Sequence, residues 1–115
     1  MKCYRGYRMH GRCVVLVDGV GLARLGWHAS FFAWGYVGVG PAELALSLLA
    51  DYYGERPTRQ ELVRRSCRCW RPHQDFQRTI LAPLPRDQRV HWELTSRQIT
   101  LWLEDWLAVQ QPQLP

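Results

Sequence analysis

Three groups of residues have types and spacings that chemistry could use. The first is a glycine loop, Gly35-x-x-Gly38-x-Gly40, followed at once by Pro41 and Ala42. Free backbone N–H groups in such a loop, aided by the positive end of the helix that Pro41 opens, make a cradle for an anion. The expected contacts are Gly35, Gly38, Gly40 and Ala42. The glycines are not in the order of a dinucleotide fingerprint, and no Lys-Ser/Thr pair follows them as in a P-loop. Val39 also removes a hydroxyl that an anion would use. The competing role for these glycines is a tight turn between Trp34 and a buried helix.

The second group is basic. Segment 55–78 holds seven Arg against Glu55, Glu61 and Asp75. Arg64, Arg68 and Arg71 recur at i, i+4 and i+7, with Arg59 and Arg65 beside them, and a helical stripe of this kind suits phosphate contacts along a nucleic acid. A solvated face in an arginine-rich proteome gives the same pattern.

The third group is Cys67-x-Cys69 with His73. The cysteine spacing is one residue tighter than a zinc knuckle and no fourth ligand is at hand, so structural thiols are expected and no metal. Arg65, Arg68 and Arg71 would favour a thiolate here, but Cys67 falls on an apolar face and Cys69 has no assigned base. His73 and Asp75 read as a cap rather than an acid–base couple. No catalytic residue and no cofactor are assigned.

These groups need elements to hold them. Residues 3–18 read as a β-hairpin turning at His10-Gly11, with Cys13 opposite Tyr7 or Arg8 and Cys3 opposite Val17 or Asp18. The β-branched run 13–17 predicts a strand covered on both faces, and Asp18-Gly19 turns into a third strand at 20–22. Residues 31–34 are a short aromatic strand or extended segment. A helix over 42–53 is apolar except for Glu43, Ser47 and Asp51, which predicts a buried central helix with that stripe facing water, ended by Gly54. Thr58 and Glu61 form a capping box for a helix whose apolar side is Leu62, Val63, Cys67 and Trp70. Pro72 opens a third helix carrying Phe76, Ile80 and Leu81 and stopped at Leu84-Pro85. A strand over 90–94 follows. Thr95 and Gln98 then cap a last helix with Ile99, Trp102, Leu103, Trp106 and Leu107 on one side.

The fold class that results is α+β: a small antiparallel sheet, made of the N-terminal hairpin and later strands, packed on a buried central helix and two or three amphipathic ones. One domain is expected over residues 1–109, with a loose tail at 110–115. The 115 residues, 47% hydrophobic with six Trp, can build a core without staples. No apolar run is long enough for a membrane span and no signal peptide is visible, so a cytoplasmic chain with reduced cysteines is expected. The net charge of +5 comes from fourteen Arg and one Lys, with no Asn; a GC-rich coding bias or a thermophilic host explains that composition as well as a nucleic-acid partner does.

The stretch Trp34-Gly35-Tyr36-x-Gly38-x-Gly40-Pro41-Ala42 resembles a family of small bacterial and phage-associated proteins of unknown function, domain of unknown function 6166. The resemblance extends from Tyr4-Arg5-Gly6 through the Val17-Asp18-Gly19 turn, Phe76 and Leu84-Pro85 to Trp92-Glu93-Leu94-Thr95 before Ile99. This chain departs from the pattern at Val39, where the family often has Ser, and at His73, where it often has Tyr. The resemblance carries no activity. The reading is a non-enzymatic binding or accessory protein with an anionic or nucleic-acid partner. Its alternatives are a small enzyme or ligand sensor using the glycine loop, and an obligate homo-oligomer or protein partner covering Trp27, Trp70 and Trp106.

Overall fold

His10 and Gly11 both take positive φ, 52° and 73°, which closes the hairpin between β1 (Cys3–Met9) and β2 (Arg12–Val17). Asp18 and Gly19 do the same at 48° and 83°, turning β2 into β3 (Val20–Gly21). Paired positive-φ residues match the twist of the strands they join, so short tight turns suffice. The register places Arg8 opposite Cys13 and Tyr4 opposite Val17; the Cys3 amide donates to Asp18 Oδ1 at 2.9 Å. All four cysteines are free thiols.

The computed structural model describes residues 1–87 and 89–110. Beyond the hairpin come helices α1 (Val39–Tyr53), α2 (Arg59–Arg64) and α3 (Trp70–Phe76), a π-helical turn (Gln77–Leu81), strand β4 (Trp92–Thr95) and helix α4 (Ser96–Gln110). The four strands form one antiparallel sheet in the order β3-β2-β1-β4, so the fold is α+β. The expected tail at 110–115 lies outside the described residues apart from Gln110, which ends α4. Among the described residues, no helix is long and apolar enough to cross a membrane.

The core is built on α1, in which every residue from Gly40 to Ala50 is buried. Leu44, Ala45, Leu46, Leu48 and Leu49 are wholly buried and pack in one cluster with Tyr4, Trp34, Phe76, Leu81, Trp92 and Ile99. On the sheet, Gly6 pairs with Trp92, and a Cβ at Gly6 would fall 2.1 Å from the indole. The absence of a side chain is therefore what lets that ring cross β1 and meet Trp34 edge-on at 5.4 Å. α1 begins at Val39, two residues before Pro41, the residue expected to open it. Pro41 still fits, because N–H groups in a first turn have no intrahelical acceptor to lose.

Four expectations are corrected. Glu43 and Ser47 do not face water but are buried, and only Asp51 of that stripe is half-exposed, bonded to the Tyr4 hydroxyl at 2.7 Å and to Lys2. Strand β2 is covered on one side, with Val15 alone fully buried. Residues 31–34 form an irregular segment rather than a strand. Finally, α2 stops at Arg64: Arg65 takes a left-handed conformation, φ 56°, and the Ser66 amide donates back to the Glu61 carbonyl at 3.1 Å. This is a Schellman-type end, and it leaves Val63 exposed instead of on a continuous apolar face.

Leu46→Ala or Leu49→Ala is expected to lower unfolding free energy by about 2–5 kcal/mol, measured by urea denaturation, because neither cavity can drain to the surface. A change below about 1 kcal/mol would place that leucine outside a packed core.

Candidate nucleic-acid interface

Glu43 sets the geometry of this side of the molecule. Its carboxylate accepts the backbone N–H groups of Gly26 at 2.7 Å, Trp27 at 2.9 Å, His28 at 2.7 Å and Ala29 at 3.3 Å, plus the Ser47 hydroxyl at 3.3 Å. A carboxylate in the core would be costly without such donors, and a loop with four unpaired amides would be equally costly. Each satisfies the other, and residues 26–29 wrap the start of α1.

The wrap presents Trp27 and His28 to α3. Trp27 meets Trp70 edge-on at 5.9 Å, and His28 Nε2 stands 3.0 Å from His73 Nε2. His73 is buried and its Nδ1 bonds the Trp70 carbonyl. A carbonyl only accepts, so Nδ1 carries the hydrogen, His73 Nε2 is bare, and His28 donates its Nε2–H. Both rings are neutral in this arrangement. Burial pushes the His73 pKa down to about 4, and His28 adds to that, against the Trp70 carbonyl and Glu43. Burial also lowers the pKa of His28, again opposed by Glu43.

Four of the five arginines singled out in the sequence lie over aromatic rings. Arg59 covers Trp27 at 5.9 Å and Arg65 covers Trp70 at 5.3 Å, so that Arg59, Trp27, Trp70 and Arg65 form one continuous ladder. Arg71 lies 5.9 Å from the Trp106 ring and Arg68 4.8 Å from the Tyr53 ring. Arg68 also pairs with Glu55 at 3.7 Å, and the same carboxylate accepts the Arg68 and Cys69 amides. Among the described residues, no carboxylate lies within ion-pair distance of Arg59, Arg64, Arg65 or Arg71. The arginines are thus not a stripe on one helix. The Arg65 turn and the Glu55 clamp break that helix, and aromatic rings gather most of the arginines instead. Trp27, Trp70 and Trp106, expected to fill a protein interface, are each half-buried beneath an arginine.

In the glycine loop, the Gly35 amide donates to the Leu81 carbonyl at 2.9 Å, that of Gly38 to Gln77 Oε1 at 2.8 Å and that of Ala42 to the Gly38 carbonyl at 3.0 Å. Gly40 packs against Phe31 and Ala33, where a Cβ would fall 2.6 Å and 2.7 Å from them. Three of the four expected anion contacts thus direct their donors to protein acceptors. Buried Gln77, almost forty residues away in sequence, plays the part given to an anion. Cys67 and Cys69 are buried with their sulfurs 3.4 Å apart, and burial together with Cys67 pushes the Cys69 thiol far above its ordinary range, the reverse of an activated thiolate. Among the described residues, no three metal-ligating side chains gather.

Sequence reasoning missed Glu43, His28, His73 and Trp27 as site-builders. The advance signal was the short polar stripe of Glu43, Ser47 and Asp51 in an otherwise apolar helix.

A family model described as a family of unknown function, DUF6166, matches residues 4–105. No curated protein and no solved structure matches the chain.

The neutral histidine pair predicts a pH dependence. The unfolded His73 takes up its proton near pH 6.5 and the folded one only near 4, so the unfolded state binds more protons between those values. Stability therefore falls as pH drops from about 6.5 towards 4 and levels off below, by on the order of 3 kcal/mol for one such group. Urea midpoints at pH 7.5, 6, 5 and 4.5 for wild type and His73→Gln test this. The variant should show the shallower curve, and parallel curves would mean that His73 is not held neutral.

Proposed function

We propose that this chain, which belongs to the family of unknown function DUF6166, is a non-enzymatic nucleic-acid-binding protein whose contacts are made by arginines stacked on aromatic rings. The observation that carries the reading is the Arg59–Trp27–Trp70–Arg65 ladder. A guanidinium drawn over a ring by cation–π attraction makes no hydrogen bond there, which leaves N–H donors to grip phosphate in pairs. That attraction also restricts the side chain beforehand, so less conformational freedom is lost on binding. With no carboxylate within ion-pair distance among the described residues, the charges of Arg59, Arg64, Arg65 and Arg71 are available to a polyanion, and Arg68 stands beside them. Trp27 and Trp70 add half-exposed rings on which an unpaired base stacks, so single strands are favoured over duplex. Four free thiols suit a reducing compartment, and the cytoplasm is the proposed location.

Fluorescence anisotropy with a labelled oligothymidine at 20–200 mM salt tests the reading. Three or four phosphate contacts to a single strand give a log–log salt slope of about −2 to −3. Arg59→Ala/Arg65→Ala should weaken binding about tenfold or more and flatten the slope by about 1.5. Unchanged affinity in that variant, or no binding by wild type at the lowest salt, would sink the proposal.

A further inference from the structure

A second basic and aromatic surface lies between the end of the β1–β2 hairpin and the irregular segment after β3. There an open cleft of about 640 Å³ is lined by Arg8, Arg12, Arg24, Phe31, Phe32 and Tyr36 among others, and none of its lining residues is acidic. The volume is in the range of sites that hold small organic ligands, roughly 300–1,000 Å³. Among the described residues, no carboxylate lies within ion-pair distance of Arg8, Arg12 or Arg24. Three guanidinium groups lining one cleft without an acid among its lining residues make it positive, so an anion there is attracted.

The arginines are positioned differently. Arg8 is half-buried, its guanidinium 5.1 Å from the Trp34 ring, one Nη donating to the Trp34 carbonyl at 3.3 Å; its Nε–H is buried with no acceptor among the described residues. Arg24 donates to the Ala29 carbonyl at 3.1 Å, which fixes one edge of its fork, while Arg12 is exposed at the hairpin end. Opposite this charge stand three rings, of which Phe31 is 49% exposed. An exposed phenylalanine beside unpaired arginines suits a ligand with both a flat face and a multiple negative charge. Inorganic phosphate lacks the first and a free base lacks the second.

We propose that this cleft is a binding site for a nucleoside phosphate, its phosphate held by Arg8, Arg12 and Arg24 and its base laid against Phe31 and Tyr36. The site is separate from the arginine–tryptophan ladder and stands or falls independently of it. Its ligand comes either from the free nucleotide pool or from the phosphorylated end of a strand, the recognised unit being the same.

Isothermal titration calorimetry with adenosine 5′-monophosphate, thymidine 5′-monophosphate, adenosine alone, inorganic phosphate and 5′-phosphorylated oligothymidine tests it on the full chain. Wild type should bind the monophosphates, with adenosine and phosphate at least about tenfold weaker. Arg12→Ala/Arg24→Ala should lose about tenfold or more of that affinity, whereas Arg59→Ala/Arg65→Ala should keep it. Arg12→Lys/Arg24→Lys, which retains the charge, gives an intermediate loss and serves if the alanine variant does not fold. Tighter binding of the phosphorylated strand than of free nucleotide, lost in the same variant, assigns the site to strand ends; the reverse assigns it to the free pool. Absence of nucleoside phosphate binding at millimolar concentration would overturn the proposal. So would equal binding of inorganic phosphate, or binding indifferent to Arg12 and Arg24.

Discussion

The buried carboxylate of Glu43 is the constraint on which the rest of this structure depends. A charge in the core survives only where donors converge on it, and here the donors are consecutive amides of a single loop. The exchange fixes two things together: the helix must start where Glu43 reaches the loop, and the loop must curl with its N–H groups inward. With the amides turned in, the side chains of the same loop point elsewhere. Trp27 and His28 meet α3, while Arg24 and Phe31, just outside the clasp, reach the cleft beside the hairpin. One acid thus helps to order both basic surfaces, holding the Trp27 amide of one and a loop that leads to the other.

The β-hairpin, both positive-φ turns, the buried central helix, its Gly54 stop and the Thr58 capping box were legible in the sequence, because each depends on residues within a few positions of one another. What was not legible depends on partners far apart in the chain. Glu43 and Ser47 occupy the polar stripe of an apolar helix, and periodicity assigns such a stripe to water. Only tertiary structure shows a loop fourteen to seventeen residues earlier supplying the donors. Gln77 caps the glycine loop from thirty-nine residues away, so the unsatisfied donors that suggested an anion were counted correctly but assigned the wrong acceptor. The end of α2 was misread for a related reason. Arg65 has no business in a left-handed conformation on propensity alone, yet Glu55, binding the Arg68 and Cys69 amides, draws the chain into the turn.

The arginine content acquires a physical meaning that composition could not give it. Of fourteen arginines, Arg8, Arg59, Arg65, Arg68, Arg71 and Arg86 have their guanidinium groups within 6 Å of an aromatic ring. Lysine would not replace them well, since an ammonium is a strongly hydrated point charge with no flat face to stack. A coding bias supplies arginines anywhere on a surface. It does not by itself account for Trp27 and Trp70 lying half-buried beneath Arg59 and Arg65, which have no carboxylate within ion-pair distance among the described residues.

The stacked arrangement also bears on how the two surfaces divide their work. On the ladder, arginine lies beside half-exposed rings, so under the first proposal a single strand would meet guanidinium groups as well as ring surface, and its affinity should follow charge and salt more than base identity. In the cleft, half of Phe31 is exposed and Arg12 and Arg24 lie on the surface beside it, so under the second proposal a ring and charge are both offered to one small ligand. Surfaces with many ordered charges and few free rings read a backbone. A recess with an exposed ring and arginines free of carboxylates among the described residues is suited to a nucleotide, and the Glu43 clasp lies on the loop between the two surfaces.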